Sequence, residues 1–176
     1  MPELLRTLDA AGVQVALASS SNKYSFELKT KHLPELFSHF APARRVLGDD
    51  ARVPAGRGKP SPDIYLVALE TINVDLRAKG EREITPEECL VFEDAVPGVE
   101  AGRRAGMRVV WVPHQGLLGE YKGREDQVMA GLTGEAERDH GEDTEGEVGV
   151  VGDGKAELRS TLEDFDYERY GIVPKN

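Results

Sequence analysis

Three largely apolar runs constrain this chain most: Val13-Gln14-Val15-Ala16-Leu17-Ala18, Cys89-Leu90-Val91-Phe92 and Arg108-Val109-Val110-Trp111-Val112. They lack the polar alternation of a half-exposed strand and read as strands covered on both faces. A fourth, brief strand is expected at Arg45-Val46-Leu47. Helical segments separate these runs. Helix, strand, helix, strand in repeated order requires crossover connections, and so a parallel sheet with helices on its faces. In such sheets ligands bind beyond the carboxyl ends of the strands.

The helices have readable ends. Pro2 to Ala11 places Leu4, Leu5 and Leu8 on one face and stops at Gly12. A helix from Lys23 to Lys31 follows Ser19-Ser20-Ser21-Asn22, which is rich in N-cap residue types. Lys59-Pro60-Ser61-Pro62-Asp63 opens the next helix, with Ser61 as expected N-cap and Pro62 at the first helical position. Ile64, Leu66, Val67, Leu69, Glu70 and Ile72 are read as its mostly apolar face, and Lys79-Gly80 as its end. A helix from Pro97 to Ala105 stops at Gly106. Residues 1–121 form the expected core, and residues 156–176 a segment packing back on it. Between them, residues 122–155 are rich in Gly, Glu and Asp and read as a disordered acidic insertion.

Composition narrows the function. The chain has 176 residues, 39% hydrophobic and 31% charged, enough to bury a core. A net charge of −10 argues against nucleic acid and against an anionic membrane surface as partners. No apolar run reaches the roughly 20 residues of a membrane span. The first residues lack the basic and apolar regions of a signal peptide, and Cys89 is the single cysteine. A cytoplasmic location is the expectation.

Chemistry-bearing residues stand at the strand ends. Glu93 and Asp94 close an apolar strand just before Pro97-Gly98. Mg²⁺ takes hard oxygen ligands, commonly one or two carboxylates plus phosphate oxygens. The pair could instead cap the following helix. Ser19, Ser20, Ser21 and Asn22 could hold a phosphate by hydroxyls and helix-start N–H groups, or could simply cap a helix. Lys59 could neutralise a phosphoryl group, or could be a solvated surface lysine. His32, His39, His114 and His140 show no metal-ligand spacing.

Taken together and in this order, these residues resemble the haloacid dehalogenase-like (HAD) phosphohydrolase superfamily. Val15-Ala16-Leu17-Ala18-Ser19 is similar to its motif II, Gly58-Lys59-Pro60-Ser61-Pro62-Asp63-Ile64-Tyr65 to motif III, and Val91-Phe92-Glu93-Asp94-Ala95-Val96-Pro97-Gly98-Val99-Glu100-Ala101 to motif IV. Ser25 to Thr30, Val46 to Asp50 and Leu162 to Phe165 resemble pseudouridine-5′-phosphatase-like and sugar-phosphatase-like members. The resemblance implies a three-layer Rossmann-like α/β fold. It also implies Mg²⁺-dependent hydrolysis of a small sugar or nucleoside phosphate.

In that scheme Ser19, helped by the Ser20 N–H, holds the phosphoryl group, with Ser21 and Asn22 nearby. Lys59 offsets negative charge, and Asp94, supported by Glu93, binds Mg²⁺. Family members also carry motif I, an apolar strand ending in a nucleophilic Asp-x-Asp, and a helical cap. Neither is recognised in this sequence. Asp164-Phe165-Asp166 spells Asp-x-Asp but follows a charged amphipathic stretch, and it reads as coincidence. The resemblance therefore implies an incomplete core that is inactive alone. The alternative is a non-catalytic module binding a phosphorylated ligand or a protein. Sequence leaves the particular substrate and the oligomeric state open.

Overall fold

The computed structural model describes residues 2–134 and 146–173. The strands are β1 (Leu17–Ala18), β2 (Arg45–Val46), β3 (Leu90–Glu93), β4 (Arg108–Trp111) and β5 (Ala156–Leu158). The helices are α1 (Pro2–Ala11), α2 (Lys23–Thr30), α3 (Pro34–Ser38), α4 (Asp63–Ala78), α5 (Val96–Arg104), α6 (Gln115–Glu120) and α7 (Glu125–Ala130). The strands make two parallel sheets, β1-β2 and β3-β4-β5. Leu90 aligns with Arg108 and Glu93 with Trp111, while Leu17 aligns with Arg45.

β4 explains why its sequence is apolar throughout. Val109 and Trp111 face one cluster with α4 and α5, whereas Val110 faces the other with α1 and Phe165. All three are at most 1% exposed. A strand between two helical layers has no solvent face, so alternation disappears. α5 lies close over this sheet because it carries small residues. A Cβ added to Gly102 would stand 2.9 Å from a Val109 methyl.

Several elements differ from the sequence expectation. The run from Val13 to Ala18 gives only the two residues of β1, half-buried, because β2 is its one partner. β2 stops at Val46, and β3 runs to Glu93 rather than beginning at Cys89. α4 has Pro62 as N-cap, and Ser61 is buried without capping. Its buried face is Ile64, Tyr65, Ala68, Leu69, Ile72, Asn73 and Leu76, whereas Leu66 is exposed.

The acidic stretch differs at both flanks. α7 forms within it, ending at Gly131 with φ +74° and burying Val128 completely. After it, the Asp153 carboxylate pairs with the buried Arg103 and accepts the Lys155 N–H at 2.9 Å. β5, which sequence does not reveal, follows directly. The central acidic residues Glu135 to Glu145 lie outside the described residues. Asp164 sits in a turn with φ +53°, and Phe165 fills the second cluster, so this Asp-x-Asp does not close a strand.

Candidate active site

The site forms at the carboxyl ends of β1 and β3. Ser19 leaves β1 with its N–H still bonded to Val46 O at 2.9 Å. Its Oγ then accepts the Ser21 N–H at 3.2 Å, turning the chain toward α2. The Gly48 N–H donates to Ser21 O at 2.9 Å. A side chain at Gly48 would put its Cβ 2.3 Å from Ser20 O, so this approach needs glycine. Asn22 caps α2 by accepting the Ser25 N–H at 2.8 Å, and Asp49 accepts the Lys23 N–H at 2.9 Å. Ser21 Oγ accepts from Lys29 Nζ at 3.1 Å. Of the four loop residues expected to contact phosphate, Ser19, Ser21 and Asn22 thus make side-chain hydrogen bonds within local structure. Ser20 is exposed, and its N–H has no acceptor among the described residues.

Lys59 joins the two strand ends. Its Nζ donates to Ala18 O at 3.3 Å and to the Glu93 carboxylate. It also lies 4.9 Å from the centre of the Tyr65 ring. The Tyr65 hydroxyl donates to the same Glu93 oxygen. The Lys59 and Glu93 side chains are only 10% and 8% exposed. Buried opposite charges are tolerated when paired and further hydrogen-bonded, and Tyr65 supplies that extra bond. Burial, then the Glu93 charge, holds the Tyr65 phenol well above its ordinary pKa, so it remains a donor at neutral pH. Gly98 makes room for this arrangement, since a Cβ there would fall 2.2 Å from the Glu93 carboxyl carbon.

The structure brings Ser19, Lys59 and Glu93 together through Ala18 and separates the two acids. Glu93, expected to support a metal, is turned toward Lys59 and Tyr65. Asp94 is exposed, its backbone oxygen accepts the Trp111 indole N–H at 3.3 Å, and its carboxylate has no hydrogen bond or ion pair among the described residues. No group of three or more His, Cys, Asp or Glu converges on a metal-sized site among the described residues. The exposed Asp94 carboxylate still fits Mg²⁺, which keeps several waters and needs only one or two protein carboxylates.

Tyr65 was not foreseen as a site residue. Its signal was a phenol on an otherwise apolar helix face, because a buried hydroxyl seeks a partner.

A parallel α/β core thus carries a lysine, a serine turn and an exposed carboxylate at the carboxyl ends of its strands. A family profile described as haloacid dehalogenase-like hydrolase matches residues 1–106, and the chain belongs to that family. The chain is similar to a Saccharomyces cerevisiae protein named as a probable pseudouridine-5′-phosphatase, at 38% identity over 96% of this chain and 59% of that protein. It is also similar to the Arabidopsis thaliana mitochondrial (DL)-glycerol-3-phosphatase 1, at 38% identity over 73% of this chain and 40% of that protein. A solved HAD hydrolase of family IA, variant 3, from Entamoeba histolytica shares the fold. Its TM-score is 0.54 at 21% identity, covering 69% of this chain and 48% of that one. The chain spans about half the length of the curated relatives it matches.

Proposed function

We propose that this chain forms the phosphate-handling part of a Mg²⁺-dependent phosphomonoesterase acting on a small sugar or nucleoside phosphate. The observation that carries this reading is the Lys59 ammonium, held at the carboxyl ends of both β1 and β3 beside Ser19. An ammonium fixed there by buried partners is aimed rather than solvated.

Each residue takes a defined part. The Ser19 hydroxyl and the unengaged Ser20 N–H bind two phosphoryl oxygens. Lys59 neutralises a third, or a carboxylate beside it. Glu93 and Tyr65 position Lys59 and keep its charge in place. Asp94 holds Mg²⁺, which when bound offsets charge on the phosphoryl group. Ser21 and Asn22 shape the loop and do not contact phosphate. Among the described residues no Asp-x-Asp closes a strand, so the nucleophile is not in this site as it stands. The chain alone therefore shows no Mg²⁺-dependent hydrolysis of a simple aryl phosphate; turnover abolished by Asp94→Asn contradicts this.

Titration with inorganic phosphate in the presence of Mg²⁺, followed by amide NMR shifts, tests the site. The expected result is saturable movement of the Ser19 and Ser20 amides that Ser19→Ala weakens. Shifts confined to surface lysines, or unchanged by that substitution, contradict the assignment.

A further inference from the structure

Among the aromatic side chains, Tyr24 alone stands open to solvent. It is 76% exposed, whereas every other Phe, Tyr and Trp is buried or half-buried. Its side chain makes no hydrogen bond, ion pair or ring contact among the described residues.

This ring belongs to the edge of the phosphate loop. Asn22 is the N-cap of α2, so Tyr24 is the second residue of that helix. Helical side chains lean toward the N-terminus, which directs the ring back over the loop from Ser19 to Asn22. The backbone that carries it is fixed. Asn22 accepts the Ser25 N–H at 2.8 Å, Asp49 accepts the Lys23 N–H at 2.9 Å, and the Gly48 N–H holds Ser21 O at 2.9 Å. Only two side-chain torsions of Tyr24 are left to order, so placing the ring against a ligand costs little entropy. Leu28, one turn further along the same face, is 54% exposed and extends the apolar rim.

Loop and rim therefore suit different parts of one ligand. Ser19, Ser20 and Lys59 suit a phosphate group, and none of them suits the group that the phosphate esterifies. The exposed ring offers a π-face, which a planar base can use and a polyol cannot. Tyr24 lies within one helical turn of the loop, about 5.4 Å along α2. A single pentose bridges a span of that order between a base and its 5′-phosphate.

We propose that Tyr24 is the specificity-determining side chain of this site and selects a nucleoside 5′-phosphate. Its ring stacks on the base while the phosphate rests on Ser19 and Ser20. This assignment rests on the phosphate reading and narrows its substrate from a sugar or nucleoside phosphate to the second. Stacking uses the ring and not the hydroxyl.

The test titrates the 176-residue chain, in the presence of Mg²⁺, with uridine 5′-monophosphate, ribose 5-phosphate and glycerol 3-phosphate. The Ser19 and Ser20 amides and the Tyr24 ring protons are followed by NMR. The nucleotide is expected to bind about tenfold more tightly than ribose 5-phosphate. It is also expected to shift the Tyr24 ring protons, which the two base-free esters leave in place. Tyr24→Phe is expected to keep the preference for the nucleotide, and Tyr24→Ala to abolish it. Equal affinities, a preference that survives Tyr24→Ala or is lost in Tyr24→Phe, or a Tyr24 ring unmoved by the bound nucleotide overturns this inference and leaves the phosphate reading standing. Ser19 and Ser20 amides that respond to none of the three esters overturn both.

Discussion

The β3-β4-β5 sheet and the β1-β2 sheet start from similar apolar sequence and end differently. β3 and β4 pair over four residues, and β4 has a strand on each edge and a cluster on each face. The run from Val13 to Ala18 is as apolar as β4, yet it yields two paired residues and no fully buried side chain. Strand length here follows the number of partners, because an extended segment without a neighbour gains few hydrogen bonds for the entropy of ordering it.

The largest expected contrast is energetic. Trp111→Ala, in the well-paired sheet, should destabilise the fold by about 3–5 kcal/mol, the usual range for a buried aromatic. Leu17→Ala, on half-buried β1, should cost about 1 kcal/mol or less. Denaturant unfolding of both variants checks the contrast, and equal losses break it.

The second prediction concerns the joint between the two sheets. Lys59→Ala leaves Glu93 buried without its counter-ion and should destabilise by about 3–5 kcal/mol. Adding Glu93→Gln to it should restore part of that loss, because the unpaired charge is removed. No recovery in the double variant would mean that the damage lies in packing and not in charge.

The smallest effect is local to the start of β3. Burial, then the charges of Glu88 and Glu87, pushes the Cys89 thiol up to about 11. A raised native pKa favours the protonated thiol. Its contribution to stability is therefore complete below the ordinary thiol range and disappears as pH rises through about 11. At pH 8 the native thiolate is about a hundredfold scarcer than that of an unburied cysteine, so alkylation should be slow and accelerate with pH. Fast alkylation at pH 8 would show that this end of β3 opens readily.

The same contrast marks what sequence discloses. α1 was legible to the residue, since Leu4, Leu5 and Leu8 and the Gly12 stop are local signals. The parallel sheet was legible from the order of elements. The shortness of β1 was not, because it depends on a neighbour that local pattern does not encode. α7 was hidden because it is only six residues long, buried at Val128 and Ala130, within a stretch read as acidic and disordered. β5 was hidden because a charged three-residue segment gains its strand character only by pairing with β4.

At the site, the motifs singled out Ser19, Lys59 and Glu93; the structure bonds Lys59 to Glu93, which was expected beside a metal, and to Ala18 O, next to Ser19 in the chain. The separate roles of the two acids were not legible, because adjacent strand residues point to opposite faces and only tertiary partners decide which one is engaged. Tyr65 and Gly98 were missed as site residues for the same reason. Tyr65 reaches Glu93 across 28 residues of sequence, and Gly98, though inside the same motif, meets the Glu93 carboxyl only through the fold of the turn.

The most direct measurement is calorimetric titration of Mg²⁺ into the chain, with and without inorganic phosphate, for the native sequence and Asp94→Asn. Phosphate should strengthen Mg²⁺ binding, and Asp94→Asn should remove the phosphate-dependent part. Mg²⁺ binding that ignores both phosphate and Asp94 would contradict it.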